Sequence, residues 1–314
     1  MNGPARQPVA TDDNLIQPFQ VEGANLRGRL VRLGSVVDTI LTRHDYPEPV
    51  SGLLAEAVAL TAALAGALKF DGVFTLQTKG NGPIATMVAD YRTPGDLRAY
   101  AGFDAAALAT SAAAPGQPAN PVPRLLGTGY LAFTVDQGED AERYQGIVEL
   151  TGGTLADCAH KYFHQSEQLE AGIRLTARRV ADESGVPRWR ASALMLQRLP
   201  LEGISEAKLD YMEDAWRRAL MLMGTAADQE LVDPALTAND LLYRLFHEDG
   251  VRVYRPQPLQ AGCRCSRGKV ESVLRSFPAA EMTEMVVEGK IVVTCEFCNT
   301  VYQFAPDEVI AERD

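Results

Sequence analysis

The sequence predicts an α+β protein with three parts: a mostly antiparallel N-terminal domain with packed helices, a short helical linker domain and a small C-terminal four-cysteine domain. Short alternating strands recur between residues 72 and 199 with few helices between them, which favours antiparallel pairing. Residues 201–250 show only helical periodicity. Four of the five cysteines follow residue 262. We therefore divide the chain into a disordered tail (1–14), an α+β core (15–200), a helical linker (201–250) and a cysteine domain (251–314).

The first half of the core domain combines two helices with an antiparallel meander. Residues 25–42 begin as a strand and continue as a helix that ends near His44–Pro47. A second helix is predicted over Leu53–Phe70, and its apolar residues leave so little polar surface that it should be buried on most sides. Gly80–Pro83 is read as a plain turn, since it lacks the spacing and the following helix of a phosphate-binding loop. Strands are predicted at 72–79, 84–91 and 97–101.

The second half of the core domain is predicted to contain a long loop, one helix and two strand pairs. Residues 103–123 are rich in alanine and proline, which indicates a surface loop. Thr154 and Asp157 have the spacing of a capping box, so we begin a helix there and extend it through Leu169. Cys158 lies on the apolar stripe of that helix, which favours a packed core thiol over a reactive one. The paired strands are placed at 129–135, 143–150, 173–181 and 189–199.

The linker domain is predicted to be helical throughout. One helix covers residues 205–223, residues 228–232 add a turn, and Thr237 caps a further helix that runs through His247. Methionines recur here, and they suit either a helix that faces the core or an adaptable binding surface. The sequence leaves both readings open for Met212, Met221 and Met223.

Two close cysteine pairs organise the last domain. Cys263-x-Cys265 and Cys295-x-x-Cys298 are separated by 29 residues. Ser266 can cap a helix over 267–277, and a hairpin of residues 285–287 and 291–294 leads directly into Cys295. With about 64 residues and few large apolar side chains, this domain is predicted to depend on a metal for its stability.

Two close pairs on separate segments can bring four sulfurs to one tetrahedral ion. This is the ligand set of a closed structural zinc site, so we predict one Zn²⁺ per chain on Cys263, Cys265, Cys295 and Cys298. An iron–sulfur cluster uses the same tetrahedral sulfur geometry and stays an alternative. Four unrelated buried cysteines would explain the pattern less well, because the rest of the chain contains only Cys158.

Thiolates at such a site are also redox nucleophiles. Within each pair the Cα atoms can come close enough for a disulfide. The site can therefore be held by zinc when it is reduced, or closed as two local disulfides when it is oxidised, but not both at once. The sequence permits this switch and does not by itself establish it.

Charge and composition argue against several classes of protein. The net charge of −11, with eight Lys/Arg and nine Asp/Glu from Val251 onward, lacks the basic face of a nucleic-acid-binding zinc module. No run approaches the roughly 18–20 apolar residues of a membrane span. The N-terminus lacks the basic, apolar and small-residue order of a secretory signal. Few cysteines in a metal pattern then predict a cytoplasmic protein.

No catalytic constellation is visible in the sequence, and we predict a protein that is not an enzyme. The four histidines form no pair at ligand spacing near the cysteines. A thioredoxin-type enzyme would place Cys-x-x-Cys at a helix start in a βαβ context, whereas Cys295 follows a hairpin. Three alternatives stay open: a redox-inert protein-binding module with structural zinc, a thiol oxidoreductase, and a nucleic-acid-binding protein.

The cysteine pattern resembles that of the heat shock protein 33 family of redox-regulated chaperones. The core domain is similar to this family at four places along the chain, so the resemblance covers nearly the whole sequence. Glu170-Ala171 stands where the family pattern has Pro-Thr, and the alanine–proline loop is longer than in the family. The four places are His44–Pro47, Leu68–Gly72, Lys79–Pro83 and Tyr162–Gln168.

The resemblance implies an ATP-independent holdase that is inactive while reduced and zinc-bound. Hypochlorous acid, or peroxide with heat, would form the disulfides Cys263–Cys265 and Cys295–Cys298 and expel zinc. The linker helices would then loosen, the protein would become a homodimer, and exposed apolar surface would bind unfolding client proteins. Neither nucleic acid nor membrane is expected as a partner.

Overall fold

The computed structural model describes residues 13–111, 120–138, 142–164, 170–199 and 206–309. The chain divides into two compact units, Met1–Ala261 and Gly262–Asp314. Nearly all of the predicted disordered tail, and residues 165–169 of the predicted fourth helix, lie outside the described residues. The predicted α+β class with antiparallel sheets is confirmed.

The first sheet is antiparallel and is covered by apolar clusters on both faces. On β1, Ile16 packs into one cluster while Phe19 and Val21 pack into the other. The sequence analysis assigned no strand here, because burial on both faces removes the apolar–polar alternation that marks a half-exposed strand. The sheet contains β1 (Leu15–Val21), β2 (Leu26–Leu33), β8 (Ala171–Ala181), β9 (Pro187–Arg198), β10 (Val251–Val253) and β11 (Gln257–Pro258), in the order β10–β1–β2–β9–β8 with β11 also on β1.

The second sheet is the predicted meander with further strands on both sides. Its strand pairs are antiparallel, except that the strand at Gln260–Ala261 runs parallel to the strand at Asp96–Phe103. The sheet contains β3 (Val73–Gly80), β4 (Ile84–Arg92), β5 (Asp96–Phe103), β6 (Gly129–Asp136), β7 (Tyr144–Glu149) and β12 (Gln260–Ala261), in the order β12–β5–β4–β3–β6–β7.

The helix α2 (Glu48–Ala65) contacts strands of both sheets and is the centre of the larger apolar core. It begins and ends five residues before the predicted Leu53–Phe70. Proline in its first turn supplies a fixed φ where no N–H partner is needed, and Gly66 follows its last residue. The helix is long and apolar enough to cross a membrane, but 78% of that stretch is buried inside the fold.

Two smaller helices flank this core, and a third lies where a loop was predicted. α1 (Ser35–Thr42) and α4 (Leu155–Tyr162) follow the sequence analysis, and Thr154 forms the predicted capping box with Asp157. The prediction of one loop over 103–123 was wrong within the described residues, because α3 (Ala105–Thr110) and a wide helical turn at Val122–Leu126 lie there. The Asp104 carboxylate accepts from two N–H groups of α3 and begins that helix.

Three helices of the predicted linker cover one face of the first sheet. Trp216, Leu241 and Phe246 pack there against apolar side chains of β1, β2 and β9. Met223 is part of this contact, whereas Met221 is 67% exposed, so only the first of the two fits a core-facing role. The helices are α5 (Glu206–Thr225), α6 (Asp228–Val232) and α7 (Ala238–Phe246), followed by a short 3₁₀ turn at His247–Asp249.

Polar contacts also join β2 to the linker. Arg32 on β2 is only 1% exposed, and its guanidinium donates to the backbone carbonyls of Asp233 and Leu236. Burying a charged group is costly unless its hydrogen bonds are made. The loop between α6 and α7 therefore depends on Arg32 for part of its position.

Glu56 makes the stability of this unit dependent on pH. It is half-buried on α2, and burial together with the nearby charge of Asp228 raises its pKa to about 7. Because the folded pKa exceeds the unfolded one, this carboxyl stabilises the fold below about pH 4.5 relative to higher pH, and that contribution is lost as the pH rises through about 7. We expect Glu56→Gln to stabilise the protein at pH 8 by on the order of 1–3 kcal/mol and to have little effect at pH 5.

Thermal unfolding of Glu56→Gln at the two pH values checks this expectation. Glu48→Gln is the matched control, since Glu48 is an exposed carboxylate on the same helix. An equal change in Tm at pH 5 and pH 8 for Glu56→Gln would contradict the assigned pKa.

The second unit is small and has a correspondingly small core. Ser266 caps the first helix by accepting from the Lys269 N–H, as predicted, and the predicted hairpin is present. Among the residues that the structure describes, its core consists of Leu274, Met282, Ile291, Phe304 and Val309. The elements are α8 (Arg267–Leu274), α9 (Ala279–Glu284), β13 (Val286–Val287), β14 (Lys290–Thr294), β15 (Val301–Phe304) and α10 (Pro306–Val309).

Residues 251–261 belong to the larger unit, although the sequence analysis grouped them with the cysteines. β10 and β11 pair with β1, and β12 pairs with β5. The Leu259 N–H also donates to the Asn14 carbonyl at 2.7 Å. These short strands carry no periodic signal of their own, so their pairing could not be read from the sequence.

Candidate metal centre

Cys263 and Cys265 lie on the irregular segment that joins β12 to α8. The N-cap of α8 at Ser266 fixes one end of this segment. The Lys269 ammonium donates to the Arg264 carbonyl at 3.1 Å and holds the backbone between the two cysteines. Both thiols are half-buried.

Cys295 and Cys298 lie on the tight turn between β14 and β15. The Cys295 N–H donates to the Thr300 carbonyl at 3.0 Å, and the Asn299 N–H donates to the Cys295 carbonyl at 2.8 Å. Asn299 has φ of 57°, a left-handed conformation that asparagine tolerates better than most residues. These two backbone hydrogen bonds close the turn, and both of its thiols are half-buried.

The two segments bring all four predicted sulfurs together. The four Sγ atoms lie within 4.8 Å of one another. Cys263 and Cys295 are 3.7 Å apart at sulfur, and Cys265 and Cys298 are 3.3 Å apart. Zinc–sulfur bonds of about 2.3 Å in a tetrahedron place sulfurs just under 4 Å apart, so the cluster has the size of a four-thiolate zinc site. The donor set and its spacing therefore fit a metal ion.

The five cysteines are free thiols in this structure. The Cys263–Cys295 and Cys265–Cys298 contacts each join one cysteine of the first pair to one of the second. A shared central ion brings all four sulfurs to similar distances, whereas a disulfide within a pair would draw its two sulfurs to about 2.0 Å. The arrangement of the four sulfurs could therefore hold one metal ion.

Two hydroxyl groups contact the sulfurs, and the sequence analysis missed both. The Tyr302 hydroxyl donates to Cys265 Sγ at 3.1 Å, and the Thr300 hydroxyl oxygen lies 3.2 Å from Cys298 Sγ. Both residues follow the last cysteine, Thr300 directly before β15 and Tyr302 within it. No sequence pattern marks them, since both residue types are common in strands.

The pKa values of the Cys265 and Cys298 thiols shift in opposite directions. Burial among the other thiols raises the pKa of Cys265 to about 12. Burial acts in the same direction on Cys298, but the Thr300 hydroxyl and N–H favour its thiolate and bring its pKa to about 6. The bond to Cys265 raises the pKa of Tyr302 to about 12, so this hydroxyl stays a donor at neutral pH. The Cys298 thiol is therefore more readily ionised than the Cys265 thiol.

Cys158 lies outside this cluster, as predicted. It is fully buried on α4 in the core of the larger unit, and burial raises the pKa of its thiol. A protonated, inaccessible thiol is a poor nucleophile. Cys158 therefore serves as a packed core residue.

Tyr302 offers a direct test of how the cluster holds a metal. We expect Tyr302→Phe to weaken zinc binding roughly 10- to 100-fold, because a group that hydrogen-bonds a ligand orients it and stabilises its charge. The aromatic ring is retained, so packing in the second unit should change little. Competition with a chromophoric zinc chelator measures the affinity. Tyr254→Phe, which removes a hydroxyl bonded to Gln20, is the control, and equal affinities for both variants would contradict the assigned role.

Comparison with known proteins identifies the family. A family model described as Hsp33 protein matches residues 14–305. A 33 kDa chaperonin of Caulobacter vibrioides is 43% identical over 298 residues, which covers 94% of this chain and 95% of the relative. A 33 kDa chaperonin of Pseudomonas fluorescens is 35% identical over 300 residues and covers 95% of this chain and 93% of its own.

A solved structure shows the same fold. The crystal structure of a 33 kDa chaperonin from Thermotoga maritima superposes with a TM-score of 0.74 at 22% identity and covers 94% of this chain and 96% of its own. The match of the family model across both units, together with relatives of 43% identity at full length, decides the assignment. The chain belongs to the Hsp33 family of chaperones.

Proposed function

We propose that this protein is a redox-regulated, ATP-independent holdase. The observation that carries the proposal is the convergence of four thiol sulfurs within 4.8 Å in a unit with few other means of stability. Membership of a chaperone family supplies the activity, namely binding of unfolding proteins. In the reduced form Cys263, Cys265, Cys295 and Cys298 hold one Zn²⁺ and the protein is inactive.

The small core of the second unit supports a role for the metal in folding. The described part of this unit has five buried apolar side chains in its core, which is few, and units this small usually need a metal or disulfides for stability. Structural zinc supplies roughly 10–16 kcal/mol of apparent binding free energy in small peptides, and this energy is folding energy. That is as large as the roughly 5–15 kcal/mol stability of a whole domain. Loss of the metal would unfold the second unit.

Oxidation removes the ligands in pairs. Each disulfide forms as two thiolates give up two electrons, which reduce hypochlorous acid to chloride and water or hydrogen peroxide to water. We assign the bonds to Cys263–Cys265 and Cys295–Cys298, the pairs that are adjacent along the chain. A disulfide sulfur carries no thiolate charge, so the site then loses its affinity for zinc.

Release of the linker is the step that would create a client-binding surface. The chain passes from the short strands of residues 251–261 directly into Cys263, so unfolding of the second unit frees the end of this segment. Strands of two or three residues offer little resistance to fraying. If α5, α6 and α7 then loosen, the first sheet exposes apolar side chains that they now cover: Phe19, Leu26, Leu30, Leu194 and Leu196.

The remaining properties follow from this activity. The protein is not an enzyme in this proposal, since client binding requires no bond to be made or broken. Its clients are unfolding proteins in the cytoplasm, and the oxidised form is a homodimer because exposed apolar surface also pairs with a second copy. The acidic net charge of −11 disfavours nucleic acid, and no membrane is involved.

One experiment tests the proposal as a whole. Zinc-loaded, reduced protein is treated with hypochlorous acid, or with peroxide at elevated temperature, while zinc release and light scattering of an unfolding client are followed together. We expect aggregation to be suppressed as zinc is released, and to resume after reduction with dithiothreitol. Zinc release without suppression would instead identify a redox-inert binding module with structural zinc that oxidation merely damages.

A further inference from the structure

An aromatic cavity of about 310 Å³ lies beside the C-terminal end of α2. Leu64 of α2 and Ala67, just beyond the helix, form one side of it. Aromatic rings from the segment after α2 and from β3, β6, β7 and α4 form much of the rest: Phe70, Phe74, Phe133, Tyr144 and Tyr162. Ring centroids are 6.2 Å apart for Phe74 and Phe133, and 4.7 Å apart for Phe133 and Tyr162. The walls therefore include a continuous aromatic surface.

The size and lining of the cavity suit a small, flat apolar group. Pockets that bind small molecules typically enclose roughly 300–1,000 Å³ and are lined chiefly by apolar and aromatic side chains with a few polar groups. This cavity is at the lower end of that range. Aromatic rings pack well against other rings in offset or edge-to-face contacts. The walls therefore favour an aromatic ring system over a long flexible chain.

The polar side chains that line the cavity, apart from its tyrosines, suit an anion. They are Lys69, Gln137 and Gln197, and none of the described lining residues is an aspartate or a glutamate. Lys69 is exposed and forms no ion pair among the residues that the structure describes. Each glutamine amide can donate a hydrogen bond. In a chain with a net charge of −11, a cavity with a cation and no carboxylate is complementary to negative charge.

Two arginines of β2 add positive charge near this cavity. Arg27 is directly opposite Gln197 in the β2–β9 register, and opposite residues lie on the same face of a sheet with Cβ atoms about 4.5–5.5 Å apart. Arg29 follows on that face and donates to the Gly66 carbonyl at 2.8 Å, at the end of α2. Burial and the charge of Arg27 lower the pKa of Arg29. Neither arginine forms an ion pair within the described part of the chain, so positive charge predominates here.

We propose that this cavity binds a small aromatic carboxylate. The ring system of the ligand lies among Phe74, Phe133 and Tyr162. Its carboxylate lies where Lys69 and the amide of Gln197 can donate to it. Because an exposed ammonium–carboxylate pair contributes little to affinity, burial of the rings supplies most of the binding free energy and Lys69 supplies the preference for an anion.

Two other classes of occupant would use only part of this site. A neutral aromatic molecule would fill the cavity without pairing with Lys69. An inorganic anion would pair with Lys69 and leave the rings exposed to solvent. The inference is independent of the proposed redox switch, because the site uses none of the four clustered cysteines. It also lies on the α2 side of the first sheet, opposite the face that the linker helices cover.

Two ligands that differ in charge test the proposal. They are 2-naphthoate and its neutral amide, 2-naphthamide, and isothermal titration calorimetry measures their binding to reduced, zinc-loaded, full-length protein. We expect one site per chain and an affinity for 2-naphthoate at least threefold above that for 2-naphthamide. Equal affinities for the two ligands, or no binding of 2-naphthoate, would overturn the proposal.

Lys69→Gln tests the cation without disturbing the core, because Lys69 is exposed. It should weaken 2-naphthoate binding at least threefold and change 2-naphthamide binding by less than twofold, and Lys69→Arg should keep the preference for the anion. Lys79→Gln is the matched control, since Lys79 is an exposed lysine of β3 that does not line the cavity. An equal loss of 2-naphthoate binding in Lys69→Gln and Lys79→Gln would indicate a general charge effect and contradict the assigned site.

Ala67→Phe tests the cavity itself. Ala67 is half-buried in the wall, so a phenylalanine there would occupy the space of the ligand. Both ligands should bind at least tenfold more weakly, whereas Ala106→Phe, at an exposed alanine of α3, should leave both affinities unaltered. If Ala67→Phe keeps its Tm and zinc content and still binds 2-naphthoate normally, the anion binds elsewhere and the proposal fails. Absence of 2-naphthoate binding together with normal oxidative suppression of aggregation would reject the cavity site and leave the proposed function standing.

Discussion

Replacing Cys265 with serine should reduce the zinc content of the purified protein from about one per chain to near zero. Cys265 contributes one of four converging sulfurs and also accepts the Tyr302 hydrogen bond. A serine hydroxyl is not ionised at neutral pH and replaces a thiolate poorly as a zinc ligand. Since roughly 10–16 kcal/mol of folding free energy depends on such a metal, the second unit should unfold and the linker should become sensitive to protease without any oxidant.

Zinc stoichiometry and limited proteolysis of reduced protein check this result. Cys158→Ala is the matched control, because it removes a thiol that is buried in the larger unit and lies outside the cluster. It should keep its zinc and its resistant linker. Unchanged zinc stoichiometry and protease resistance in Cys265→Ser would falsify the assignment of the metal site.

Replacing Phe246 with alanine should make the reduced, zinc-loaded protein an active holdase. Phe246 is fully buried at the end of α7 and stacks on Phe19 of β1, with ring centroids 5.8 Å apart. Removing such a side chain costs about 3–5 kcal/mol of folding free energy. This is a large fraction of the roughly 5–15 kcal/mol that stabilises a whole domain. The linker should open often enough to expose the sheet face while the four cysteines remain bound to zinc.

Client aggregation assays without oxidant measure the gain, and zinc analysis shows that the metal stays. Tyr243→Ala provides the control, since Tyr243 lies on the same helix but is 64% exposed. It should leave the reduced protein inactive. If Phe246→Ala lowers the Tm yet remains inactive when reduced, the covered face of the first sheet is not the client surface.

The cysteine cluster could be predicted from the sequence because its chemistry is carried by residue type and spacing. Two close pairs leave few arrangements other than one shared ion, and the structure brings the four sulfurs together. The supporting hydroxyls of Thr300 and Tyr302 could not be found in the same way. Threonine and tyrosine are common in strands, so only the folded turn shows which of them reach a sulfur.

The limits of the fold prediction have a physical cause in each instance. The first turn of α2 was missed because Glu48 and its neighbours carry little apolar periodicity, whereas proline and Gly66 set the ends. β1 was missed because it is buried on both faces. The strand order of the two sheets depends on which segments pair, and pairing between distant segments leaves no mark on local periodicity.

The buried guanidinium of Arg32 bears on how selective the released surface would be. It donates to two main-chain carbonyls of the linker, a type of acceptor that every polypeptide possesses. When the linker departs, those bonds must be exchanged for bonds to water or to the main chain of whatever replaces it. An apolar surface that contains such a donor can bind the peptide groups of an unfolded chain as well as its side chains. Recognition would therefore depend little on the sequence of the bound chain.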